Sequence, residues 1–151
     1  WIASLPWVDD AQAGQVVAIG NYVLLWYSSS NNKDFDVAAE YDLQIDQGAT
    51  FRHTFQWEAG EPPTPVDLTG CTALLHIRAR MRDVSPVLVA STANGKLIID
   101  GPGSVTIHLT PFDTGLLQTQ EGVYDLEITF SNGDVTRLVG GKVYVSLQVT
   151  R

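Results

Sequence analysis

The feature that most constrains this fold is a period of two. From Glu40 onward, short runs place an apolar side chain at every other position, and Gly, Pro, Asn and Asp separate one run from the next. In an extended strand such alternation sends one set of side chains toward a core and the other toward solvent. Tyr41, Leu43 and Ile45 alternate with Asp42, Gln44 and Asp46, and Phe51, His53, Phe55 and Trp57 share a face opposite Arg52, Thr54 and Gln56. Ala73, Leu75, Ile77 and Ala79 oppose His76, Arg78 and Arg80, while Tyr124, Leu126, Ile128 and Phe130 face away from Asp125, Glu127 and Thr129. Further strands are expected at Pro86 to Ala90, at Lys96 to Asp100, at Ser104 to Leu109, at Val135 to Val139, and over Val143, Val145, Leu147 and Val149. The Asn132-Gly133 pair tolerates positive φ and suits a tight hairpin. Gly60 to Pro65 is a break, because proline lacks the ladder donor. Pro111 to Leu117 is too compact for a strand and predicts a helical turn across one end of the fold. Strands this short and this regularly spaced predict a sandwich or barrel.

Composition narrows what such a fold can do. At 151 residues the chain suits one domain that buries roughly 70 % of its extended surface, so neither metal nor disulfides are needed to hold it. Seventeen acidic residues against nine basic ones give a formal charge of −8, which argues against tracking a nucleic-acid backbone. Only 17 % of residues are charged, so much of the surface is expected to be neutral or covered by partners. Arg78, Arg80 and Arg82 are the only basic cluster, and alternation would place all three on one strand face, solvated or interfacial. The single Cys71 cannot form an internal disulfide and is read as a small buried hydrophobe. The longest apolar region, Val16 to Tyr27, is interrupted by Gly20 and Asn21 and falls short of the ~18 residues a membrane span requires. No basic segment leads into an apolar one at the start, so no signal peptide is expected.

The chemical motifs are sparse. No glycine-rich phosphate loop occurs, and Ser104 lacks the flanking glycines of a nucleophile elbow. His53, His76 and His108 are far apart in sequence and form no metal-ligand spacing. His53 is read as a hydrogen-bonded core or interface residue, and His76 and His108 as outward-facing. Asp125 and Glu127 lie two apart on one strand face, ~7 Å by strand rise, a separation that also suits two glycosidase carboxylates. A solvated sheet face explains them better. Asp9-Asp10 and Asp34 with Asp36 lack the spacing of a calcium loop. No catalytic residue, no cofactor and no metal is therefore expected.

Residues 1–38 differ in texture from residues 39–151, which form the sandwich. The first segment combines Trp1, Trp7 and Trp26 with an Ala/Gly/Val stretch and then the polar run Ser28 to Asp34, which has turn or linker chemistry. It is read as an extended N-terminal arm or β-hairpin extension making intersubunit contacts. Large aromatics on an arm usually anchor into something. Trp1, Trp7, Trp26 and Tyr27 are accordingly the candidate protein-interface residues. It remains open whether Trp7 and Trp26 instead cover an edge of the domain's own core, to which Trp57 belongs on either reading.

Several of these runs carry a resemblance. Pro65-Val66-Asp67-Leu68-Thr69-Gly70 is followed by Ile77-Arg78, Gly103-Ser104-Val105, Leu109-Thr110-Pro111 and Gly122-Val123-Tyr124-Asp125-Leu126, and the pattern closes with Arg137 to Val143 and Val149-Thr150-Arg151. Roughly residues 40 to 151 thus resemble the immunoglobulin-like β-sandwich domain at the N-terminus of tailed-bacteriophage upper-baseplate proteins and related virion proteins. The resemblance implies an all-β, immunoglobulin-like antiparallel sandwich in a non-catalytic virion structural protein, an adaptor or connector in the tail, baseplate or neck. It implies other virion proteins and copies of itself as partners in a symmetric homo-oligomeric assembly, no nucleic acid, no membrane, and a place in the virion assembled in the bacterial host cytoplasm. With an N-terminal arm and no C-terminal fibre or receptor-binding extension, an adaptor role is expected over host-receptor binding. The alternatives are a capsid decoration (cement) protein, a carbohydrate-binding module using Trp7, Trp26, Tyr27 and Tyr144, and a glycosidase using Asp125 and Glu127.

Overall fold

The computed structural model describes residues 15–19, 22–27, 39–60 and 62–150, and for 15–27 only the backbone. In chain order the elements are β1 (Gln15–Ile19), β2 (Tyr22–Tyr27), β3 (Ala39–Glu40), β4 (Leu43–Asp46), β5 (Phe51–Ala59), β6 (Thr64–Pro65), β7 (Thr72–Arg78), β8 (Leu88–Ser91), β9 (Leu97–Gly101), β10 (Ser104–Leu109), α1 (Pro111–Gly115), β11 (Glu121–Thr129) and β12 (Val135–Ser146). They form two sheets. The first runs β1-β2-β5-β10-β9 with β6 beside β5, and the second runs β3-β12-β11-β7-β8 with β4 beside β12.

This is the all-β sandwich that the alternation predicts. Phe55, Trp57, Leu97, Val105, Ile107 and Leu109 from the first sheet and Leu43, Leu75, Ile77, Leu126, Ile128, Val139 and Val143 from the second are all buried in one apolar core. Each such side chain contributes about 1.5–3 kcal/mol by leaving water. The central ladders, β5 with β10, β10 with β9, β7 with β11 and β11 with β12, are antiparallel. The parallel pairs are β2 on β5, inside the first sheet, and β3 and β4 on β12, at the edge of the second. In each of them an early segment docks beside a strand reached by a long connection, a pairing that periodicity does not encode.

Several local expectations need correction. Val135 to Ser146 is one continuous strand instead of two, because Gly140-Gly141 marks a close approach and not an end. A Cβ on Gly141 would run into the Tyr41 carbonyl. Leu147 and Val149 lie beyond the strand and are exposed. On β5 alternation fails at Gln56 and Glu58, which are buried along with the core face. The Gly101 to Gly103 turn covers that end of the strand, where the Gln56 amide donates to the Pro102 carbonyl at 3.0 Å. Cys71 is only half-buried at the margin of the core, and not the buried hydrophobe expected. The helical turn is present as α1. Thr110 caps it, accepting from the Asp113 N–H while the Asp113 carboxylate accepts from the Thr110 N–H, a reciprocal capping box.

Candidate functional site

The outer face of the second sheet carries a cluster of charged and polar side chains. Register aligns His76 of β7 with Asp125 of β11 and Gly140 of β12, and Gly140 with Glu40 of β3. The next row aligns Arg78 with Val123 and Lys142. Gly140 puts no side chain into this face, so a depression of about 470 Å³ opens there, walled by His76, Arg78, Asp125, Arg137 and Lys142. Both signs of charge line it. That chemistry can hold a polar or charged partner group by ion pairing and hydrogen bonding.

Arg78 does not act as a free cation on this wall. Its guanidinium donates to the Asp83 and Val84 carbonyls, both at 2.8 Å, and lies 3.2 Å from His76 Nδ1. The Arg80 N–H donates to the Asp83 carboxylate at 3.0 Å, and the Asp83 N–H to the Arg80 carbonyl at 3.1 Å. The turn after β7 is thereby fixed. It presents Arg80 and Arg82, both exposed, with Met81 81 % and Val84 93 % exposed. This overturns the expected arginine face: β7 ends at Arg78, so Arg80 and Arg82 sit on a turn and not on the strand.

A second depression opens between β4 and the start of β5, lined by Tyr41, Asp42, Gln44, Phe51 and Arg52 with His53 at its back. His53 is buried, as expected, with its ring 4.9 Å from Phe55, 5.1 Å from Tyr41 and stacked 6.0 Å from Phe51. The expected hydrogen bond is not made at Nε2, which has no partner among the described residues. Burial pushes the imidazole pKa down to about 4, so it is neutral at ordinary pH. The Glu58 carboxyl, buried on the other face of the same strand, is pushed upward for the same reason. His76 and His108 are half-buried. Among the described residues no group of three or more His, Cys, Asp or Glu could hold a metal ion.

Of the candidate interface residues, Trp1 and Trp7 lie outside the described residues, as do Asp9, Asp10, Asp34, Asp36 and the Ser28 to Asp34 run. Trp26 and Tyr27 end β2, where their backbone runs parallel to Glu58 and Ala59. Their side chains are outside what is described. Tyr144 belongs to β12 in the other sheet and is 37 % exposed. Asp125 and Glu127 are half-buried on the outer face of β11, with a bulge between Leu126 and Glu127 and with Arg137 opposite Glu127. Ser104 donates to the Asp100 carboxylate at 2.7 Å, which ties the ends of one hairpin together. Sequence reasoning missed Met81 and Val84. Their signal was an apolar pair three apart within an arginine-rich stretch that follows no strand period.

No helix among the described residues is long and apolar enough to cross a membrane. No curated protein matches this chain. Among solved structures, a chain from the work on the structural basis of T cell specificity and activation by the bacterial superantigen toxic shock syndrome toxin-1 is similar with a TM-score of 0.44 and 9 % identity, over 70 % of this chain and 92 % of that chain. The model of the LtfC-like β-sandwich domain family matches residues 38–146. The chain belongs to the LtfC-like β-sandwich domain family, a phage-related β-sandwich.

Proposed function

We propose that this chain is a non-catalytic structural protein of a bacteriophage particle, serving as an adaptor or connector in the tail, baseplate or neck. Family membership over residues 38–146 is the observation that carries the reading. Two features of the fold support it. Among the described residues β1 pairs on one side only, with β2, so the first sheet ends in an edge whose free N–H and C=O groups can take up a strand from a neighbour. The turn after β7 holds arginines and apolar side chains outward in a fixed geometry, and Arg and Met are enriched at protein interfaces.

In this role the sandwich docks on the particle and residues 1–38 reach other subunits, with Trp1, Trp7, Trp26 and Tyr27 as anchors. The partners are other virion proteins and copies of this chain, and no cofactor is involved. The test is incorporation into particles of the encoding phage of a chain lacking residues 1–14, a deletion that leaves β1 and β2 in the first sheet. The truncated chain is expected to keep the circular dichroism of a β-sandwich and to be absent from the particles. Normal incorporation would remove the arm from the account. Copy number separates placements: about six to a few dozen per particle fits a tail, baseplate or neck, and hundreds would mean a decoration protein on the capsid shell.

A further inference from the structure

The second sheet has charge of opposite sign at its two ends. At the outer edge, β3 and β4 expose Glu40, Asp42, Gln44 and Asp46 in succession, three carboxylates with Arg52 of β5 and Lys142 of β12 beside Asp42. Toward the other edge, Arg78 at the end of β7 and Arg80 and Arg82 on the turn after it stand against one carboxylate, Asp83. Register puts the two patches at the same level of the sheet, since Arg78 lines up with Val123 and Lys142, and the Lys142 N–H donates to the Asp42 carboxylate at 2.9 Å. They are three strand intervals apart, roughly 14 Å at the usual ~4.8 Å spacing. That exceeds the ~8 Å Debye length at physiological salt, so the patches do not neutralise each other within one molecule. The side chains of Arg80 and Arg82, like those of Glu40 and Asp46, have no ion-pair partner among the described residues.

The geometry points to a head-to-tail contact between copies of this chain, in which the turn Ala79–Ser85 of one copy seats against the acidic β3–β4 edge of the next. This deepens, and rests on, the proposal that the chain is a repeated subunit. Four observations favour a second copy as the occupant. The two patches are complementary in charge. They lie at the same level of one sheet, so a translated or rotated copy presents its acid edge to the arginines. The basic turn is pre-ordered by the Arg78 guanidinium, so little entropy is lost on docking. Met81 and Val84, which project beside the arginines, give the contact apolar area. Because the two patches differ, the contact is heterologous, and repetition generates a ring or an open filament.

Sedimentation velocity on the full chain over a concentration series tests this. At about 50 mM salt the sedimentation coefficient of the wild type is expected to rise with concentration, and at about 500 mM the rise is expected to shrink sharply. The R80E/R82E variant has two acidic patches and the E40K/D46K variant has two basic ones, so each alone is expected to sediment as a monomer with unchanged circular dichroism. Mixed at equal concentration, they are expected to associate. A wild type that is monomeric throughout, a double variant that associates as the wild type does, or a mixture that stays monomeric would each overturn the contact. Any of these results beside a normal presence in particles would leave the virion reading standing.

Discussion

The phenol of Tyr124 donates a hydrogen bond to the main-chain carbonyl of Tyr41 at 2.5 Å, joining residues 83 apart in sequence. The same short segment is held by the Tyr41 N–H on the Gly140 carbonyl at 3.0 Å and by Asp42 on the Lys142 N–H. Together these bonds bring the β3–β4 segment against β12, and with it the acidic edge of the second sheet. Burial, helped by nearby Asp42 and Tyr41, pushes the Tyr124 pKa well above its ordinary value, so the hydroxyl stays a donor throughout the working pH range.

Tyr124→Phe removes that donor and leaves the carbonyl without it. The expected cost is about 1–3 kcal/mol in urea unfolding, with the melting temperature falling about 2–4 °C for each kcal/mol. An unchanged midpoint would show that water replaces the phenol without loss.

His53 makes stability depend on pH. Its folded pKa of about 4 lies below the ordinary 6.5, so the unfolded chain takes up the proton first as pH falls. The stability is therefore held in full above pH 6.5 and is lost as pH drops toward 4, by about 3 kcal/mol at ~1.4 kcal/mol per pH unit. In a His53→Phe variant that contribution is absent, and Glu58 is common to both proteins. The difference in unfolding free energy between wild type and variant is expected to shift by that amount across the window, and parallel curves would contradict it.

Thr110 and Asp113 close the helical turn, and Lys96 lies 3.0 Å from the Asp113 carboxylate. Burial alone would raise the Asp113 pKa, but hydrogen bonds from Thr110 and Lys96 and the Lys96 charge outweigh it and hold the carboxyl below its usual value. Its contribution is thus present at neutral pH and lost on acidification through that lowered value. Thr110→Ala is expected to cost about 1 kcal/mol, measurable by thermal unfolding at pH 7. A smaller loss is expected at low pH, where Asp113 is protonated.

Gly103 sits at φ +69° with its carbonyl accepting from the Trp57 N–H at 2.7 Å, and a Cβ there would strike the Trp57 carbonyl. Gly133, at φ +95°, has open space around it. Gly133→Ala is expected to cost about 1–2 kcal/mol from backbone strain alone, and Gly103→Ala more, because β5 or the turn must also move. Equal losses in denaturant unfolding would mean that the close approach is relieved without cost.

Much of the fold was legible because burial on one face of a strand leaves a period-two trace, as in Leu75 and Ile77 or Leu126 and Ile128. The helical turn was legible because Pro111 to Leu117 is too compact for a strand; the Thr110–Asp113 capping box that closes it was not read. What escaped was set by contacts distant in sequence. Gly140-Gly141 read as a strand end because Tyr41, which needs the space, is a hundred residues away. The arginine cluster read as a strand face because Arg78, by capping Asp83 and Val84, ends the strand instead. The parallel docking of β2, β3 and β4 leaves no periodic mark at all. The interface surface was legible only in part: the arginines stood out, but Met81 and Val84 gain meaning only when the turn is seen to hold them outward.

The account stands most directly on whether this chain is a component of the particle. Quantitative mass spectrometry of purified particles of the encoding phage, against a known copy-number standard such as the major capsid protein, tests it. The expected result is the chain present at a fixed ratio corresponding to a small symmetric multiple. Its absence from intact particles, with the protein abundant in the infected cell, would contradict the account.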